Sequence, residues 1–155
     1  MDDFKIEMFE KEKGECFPTF YKLNNLDCDM LYDLFSKIMQ VSDCFPSVFA
    51  IFERNSDFIE EFNALEDDFH YSSLMSYLGL TNDITFINWD DFKEIDVMKT
   101  NDFSKYFYDI WFPSSDNIIC FPPDMSLLIM IRHDGAIFVK RNPTKNTHIV
   151  DFQSD

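Results

Sequence analysis

Near residue 80 the spacing of apolar side chains changes from a helical period to short runs of the kind that form strands, and this divides the chain into two textures. Before the change, Met30, Leu31, Leu34, Phe35 and Ile38 fall on one helix face, with Asp27 placed as N-cap and Pro46 beyond the end. Phe58, Phe62, Leu65 and Phe69 recur at four, three and four residues, which predicts a second helix over 57–69. Ser56 or Asp57 would cap it, and Glu60 and Glu61 would sit near its positive end. Leu74, Tyr77 and Leu78 predict a short third helix closed by Gly79 in the left-handed conformation.

After residue 80 the runs 84–87, 118–121, 127–132 and 137–141 read as strands separated by turn residues. His133-Asp134-Gly135-Ala136 between the last two predicts a hairpin with a type I′ turn. Phe103, Tyr106, Phe107, Ile110 and Trp111 also fit a helix face, but the turn cluster 113–117 follows at once and favours a strand over 106–112. No linker, repeat or low-complexity tract divides the 155 residues. The expectation is one α+β domain, with N-terminal helices (about 1–80) packed on one face of a C-terminal antiparallel β-meander (about 81–152).

Charge is the second constraint. The chain has 29 Asp plus Glu against 13 Lys plus Arg, a formal net charge of -16. Nineteen phenylalanines exclude a disordered acidic tail, and the charge disfavours direct binding to nucleic acid or to an anionic membrane surface. Residues 1–80 hold 17 acidic and 6 basic side chains, residues 81–125 hold 9 and 3, and residues 126–155 hold 3 and 4. The dense clusters are Glu60-Glu61, Glu66-Asp67-Asp68, and Asp90-Asp91 with Glu94 and Asp96. Helix caps account for a few carboxylates. A surplus of this size opposes compaction by self-repulsion, which directs attention to a basic partner. Carboxylates can steer such a partner and then hydrogen-bond its Lys and Arg side chains. Glu60, Glu61, Glu66, Asp67, Asp68, Asp90, Asp91 and Glu94 are the candidate partner-binding residues, with a nearby aromatic as desolvated anchor.

Catalytic and metal motifs are absent. Three glycines cannot make a phosphate-cradling loop, and Asp27-Cys28-Asp29 lacks the glycine and closing Glu of a calcium loop. His70, His133 and His148 have no zinc-binding context, and Ser114-Ser115 lacks a nucleophile elbow. Cys16, Cys28, Cys44 and Cys120 contain no Cys-x-x-Cys pair and read as reduced thiols. With no basic n-region and no long apolar run, a cytoplasmic location is expected, with no cofactor.

The stretch Tyr108-Asp109-Ile110-Trp111-Phe112-Pro113-Ser114-Ser115-Asp116-Asn117-Ile118, followed by Leu128-Ile129-Met130-Ile131-Arg132-His133-Asp134-Gly135, resembles the C-terminal part of small bacterial immunity proteins. These accompany contact-dependent growth inhibition toxins and other polymorphic toxin systems. The resemblance spans roughly the last third of the chain. It implies a non-enzymatic cytoplasmic protein that binds and blocks a cognate toxin effector domain, frequently a nuclease with a basic cleft. Two other readings stand beside it: a phage-type nucleic-acid mimic that would use the same carboxylates to inhibit a host defence complex, and an acidic metal-dependent hydrolase with a carboxylate metal site.

Overall fold

Five consecutive apolar residues, Leu127 to Ile131, are all buried, and a strand can do this only where both faces of its sheet are covered. The computed structural model, which describes residues 1–41 and 47–145, has this arrangement. Its described residues form a seven-stranded antiparallel sheet in the order β1 (Phe20–Lys22), β4 (Ile95–Lys99), β3 (Ile84–Asn88), β5 (Ile118–Phe121), β6 (Leu127–Ile131), β7 (Ile137–Arg141), β2 (Asp57–Phe58). Leu128 and Met130 of β6 pack with Ile119 and Phe121 of β5 against α2 (Asn25–Met39) and α3 (Val48–Asn55). Leu127, Ile129 and Ile131, with Ile118 and Cys120, pack on the opposite side against α4 (Tyr71–Tyr77), α5 (Thr100–Lys105) and α6 (Phe107–Ile110).

The α+β class and the antiparallel C-terminal meander β5–β6–β7 are as the sequence predicts. The helices cover both faces of the sheet, and the N-terminal half supplies both edge strands, β1 beside β4 and β2 beside β7. A further helix, α1 (Asp3–Lys13), is capped by the Asp2 side chain and ends at Gly14 with φ of 69°. No helix among the described residues is long and apolar enough to cross a membrane. Cys44, Pro46 and His148 lie outside the described residues.

Four local expectations change. The N-cap of α2 is Asn24: its side chain accepts from the Asp27 N–H and its amide donates to the Asp27 carboxylate, so Asp27 sits inside the first turn. On that helix Phe35 and Ile38 are buried, whereas Met30 points to solvent.

The segment 57–69 is not a helix. Its backbone takes its partners from the β6–β7 hairpin, with the Ile59 N–H donating to the Ile137 carbonyl and the Ala64 N–H to the Gly135 carbonyl. Asn63 turns its side chain onto the Leu65 N–H, a local bond that competes with helix formation.

Residues 103–110 belong to α5 and α6 rather than to a strand, because Phe103, Phe107 and Ile110 share one buried face, which Trp111 extends from the cap position with its backbone already extended. The final hairpin is closed by a three-residue loop, with Arg132 N–H to Ala136 carbonyl and Gly135 N–H to Arg132 carbonyl. Gly135 has φ of 84° while Asp134 is not among the positive-φ residues, which is a glycine bulge rather than a type I′ turn.

Burial also gives the core a pH signature. The Cys120 thiol is fully buried and hydrogen-bonded to Tyr71, and desolvation holds it far above its ordinary value of 9.0. The folded thiol therefore stays neutral while the unfolded one ionises. Its contribution to stability is intact below pH 9 and is lost as pH rises toward the folded value. The loss amounts to about 1 kcal/mol by pH 10. Denaturation midpoints at pH 7 and pH 10 should differ less in Cys120→Ala than in the wild type; an equal difference would contradict this assignment. Tyr71, displaced in the same direction mainly by desolvation, leaves a residual slope in that variant.

Candidate partner-binding surface

Between Arg54 and Lys93 the chain has no Lys or Arg and nine carboxylates: Asp57, Glu60, Glu61, Glu66, Asp67, Asp68, Asp83, Asp90 and Asp91. Strand register decides where they go. β2 runs toward the β6–β7 turn, so 60–69 crosses the end of the sheet at its β2 margin. The β3–β4 turn, 89–94, emerges at the same end, with β5, β6 and β7 between the two. Four strand spacings place the two acidic groups about 19 Å apart. The eight candidate residues therefore form two groups on one end of the molecule.

The first group is held by an apolar peg and a tyrosine. Ala64 is completely buried beneath the loop, and Phe69 packs on Phe107 with ring centroids 5.3 Å apart. Turn bonds from the Glu66 N–H to the Asn63 carbonyl and from the Phe69 N–H to the Glu66 carbonyl shape the loop. From α6 the Tyr108 hydroxyl donates to the Ala64 carbonyl at 3.0 Å and lies 3.3 Å from the Glu66 carbonyl. With its backbone satisfied in this way, the loop presents Glu60, Glu61, Glu66, Asp67 and Asp68 to solvent. Among the described residues none of these five pairs with a basic side chain.

Set among them are large apolar groups that folding leaves uncovered: Leu65 is 50% exposed, Tyr77 53% and Tyr108 46%. Burial, and then the nearby carboxylates of Asp67 and Asp68, raise the Tyr108 phenol above its ordinary value. The Tyr77 phenol is raised chiefly by its hydrogen bond to Glu61. A depression of about 100 Å³ lies between Glu61, Phe62, Asn63, Glu66, Asp68 and Phe69. Exposed aromatics inside a rim of free carboxylates have the composition of a protein-binding patch.

The second group is occupied with structure. Asp90 accepts from the Lys93 and Glu94 N–H groups at 2.8 and 3.1 Å, which closes the β3–β4 turn. The Asp91 carboxylate accepts from the Val48 N–H at 3.0 Å and so serves the first turn of α3. Glu94 pairs with Lys22 at 2.6 Å across the β1–β4 edge. These three carboxylates have internal partners that the sequence did not reveal, and we place the candidate surface on the 60–68 group. Tyr77, Tyr108 and Leu65 are additions from the structure; their signal in the sequence, an aromatic near the clusters, names no position.

Other candidate chemistry does not assemble. Among the described residues no three His, Cys, Asp or Glu side chains gather where a metal could be held. His133 lies 3.0 Å from the Asn117 amide oxygen beside the hairpin turn, and His70 is exposed. Cys28 and Cys120 are buried and Cys16 is exposed. The chain matches no family model, no curated protein and no solved structure.

Proposed function

We propose that this protein is a non-enzymatic inhibitor of the immunity-protein type, acting in the cytoplasm by stoichiometric binding to a basic toxin effector domain. The observation that carries the reading is the loop 60–68, where five exposed carboxylates without basic partners among the described residues surround half-exposed Leu65, Tyr77 and Tyr108.

The physics follows from that patch. Unneutralised carboxylates draw a basic partner and raise the encounter rate. Once the surfaces meet, Tyr77, Tyr108 and Leu65 lose water, and charge-assisted bonds to Lys and Arg form around them. A nuclease effector, with a cleft built to hold phosphates, presents the complementary charge. A carboxylate row laid across that cleft competes with nucleic acid without any chemistry on the inhibitor.

The test is titration of the effector domain encoded beside this protein's gene. Its activity should vanish at one equivalent, and high salt should restore it. Activity that persists at a tenfold molar excess in low salt would overturn the proposal.

A further inference from the structure

Past Ala64 the acidic loop has few holds on the rest of the protein. Its turn bonds, from the Glu66 N–H to the Asn63 carbonyl, from the Phe69 N–H to the Glu66 carbonyl and from the Leu65 N–H to Asn63 Oδ1, all stay inside 63–69. The Ala64 N–H ties the loop to the hairpin at Gly135, and the Phe69 ring ties its far end to Phe107. Beyond the first of these points and short of the second, among the described residues, only the Tyr108 hydroxyl reaches the loop with a hydrogen bond from another element.

That hydroxyl has a single proton and two acceptors, the Ala64 carbonyl at 3.0 Å and the Glu66 carbonyl at 3.3 Å. The two oxygens come from either side of Leu65, so their shared donor fixes how the chain turns into Asp67 and Asp68. Ala64 is completely buried, and its carbonyl has no other partner among the described residues. Without the donor the loop must open to hydrate that oxygen. The phenol keeps its proton, because burial and the Asp67 and Asp68 carboxylates raise it above its ordinary value. Its place is set by α6, where Phe107 and Ile110 are buried on the opposite side of the same short helix.

Tyr77 provides the contrast. It is half-exposed on the same surface, but its hydroxyl meets the Glu61 side chain and not the backbone.

We infer that the Tyr108 hydroxyl is a positioning group for the partner surface: it holds Glu66, Asp67 and Asp68 in the arrangement a basic partner meets, and so governs how long the complex lasts rather than how fast it forms. The inference rests on the reading of 60–68 as the partner surface. Charge attracts from a distance whatever the shape of the loop. Bonds formed by an unfixed loop carry an ordering cost, which shows in the dissociation rate.

Tyr108→Phe tests it, since this change removes the hydroxyl and keeps the ring and the net charge. In the free protein the N–H groups of 64–69 should exchange about fivefold faster, while those of the β3–β4 turn at 89–94, which opens without breaking this bond, keep the wild-type rate. With the effector domain encoded beside the gene, association should stay within about twofold of the wild type and dissociation should accelerate about fivefold. Tyr77→Phe removes a hydroxyl from the same surface and should leave exchange of 64–69 within about twofold. Unchanged exchange of 64–69 in Tyr108→Phe, equal exchange in the two variants, or a loss of affinity that lies in the association rate overturns the inference. Exchange that quickens at 89–94 as much as at 64–69 overturns it as well, because the hydroxyl would then support the fold in general. An effector domain that the wild type does not bind strikes the reading of the surface instead, and exchange in the free variant then decides whether the hydroxyl holds the loop.

Discussion

Replacing Gly135 by alanine is expected to cost about 2–5 kcal/mol and to loosen the acidic loop from the sheet. A Cβ at this position would overlap Asn63 Oδ1 and come within 2.8 Å of the Leu65 nitrogen and 2.9 Å of Leu65 Cγ. The residue also has φ of +84°, which alanine adopts at a penalty. Because the Gly135 carbonyl accepts from the Ala64 N–H, the displacement would break the bond that anchors the loop centre. The expected fall in thermal midpoint is about 6–15 °C. Gly79→Ala is the internal control: φ there is +72°, but nothing lies within 4 Å of the added Cβ. It should cost about 1 kcal/mol, from backbone conformation alone. Equal losses for the two variants would mean that the 60–68 loop does not press on the hairpin.

The second large effect concerns binding. Asp67→Lys/Asp68→Lys should slow association with the effector domain about tenfold at low ionic strength, with the gap closing as salt is added. Asp29→Lys/Asp33→Lys makes the same change in net charge on α2, the helix that packs on the other face of the sheet. Near 0.15 M salt, where the Debye length is about 8 Å, that pair should stay within about twofold of the wild type. Stopped-flow association rates across salt concentrations separate the cases. If both pairs slow binding alike, net charge rather than a defined surface controls the encounter.

How far the sequence reveals these features depends on where each segment finds its partners. The runs at 118–121 and 127–131 are legible because strands buried on both faces read as continuous apolar stretches, and 137–141 because Ile137 and Val139 alternate inward after the Asp134-Gly135 turn signal. The 57–69 segment misleads because its phenylalanines keep helical spacing, while its backbone partners, Gly135 and Ile137, lie more than 70 residues away. The 103–112 face was visible, yet the turn residues that follow it fit the end of a helix as well as the end of a strand. β4 is hidden by Asp96, a carboxylate that is completely buried between Ile95 and Val97. α1 is hidden because its inward positions include a lysine.

The same distinction governs the site. That the acidity crowds into the first 100 residues is plain from counting. Which carboxylates are free is not. Glu94 is neutralised by Lys22 from 72 residues away, and Asp91 serves a helix that starts 43 residues earlier. Glu66, Asp67 and Asp68 stay unpaired among the described residues because the surrounding segments, from 55 to 92, contain no Lys or Arg at all.

The central claim is that the 60–68 loop with Tyr77 and Tyr108 is the surface that meets a basic partner. Hydrogen exchange of the protein with and without the effector domain encoded beside its gene addresses it most directly. The account predicts added protection confined to 60–69, the end of α4 and the Tyr108 turn of α6, with the β3–β4 turn at 89–94 unchanged. Protection centred on 89–94, with 60–69 exchanging as in the free protein, would contradict it.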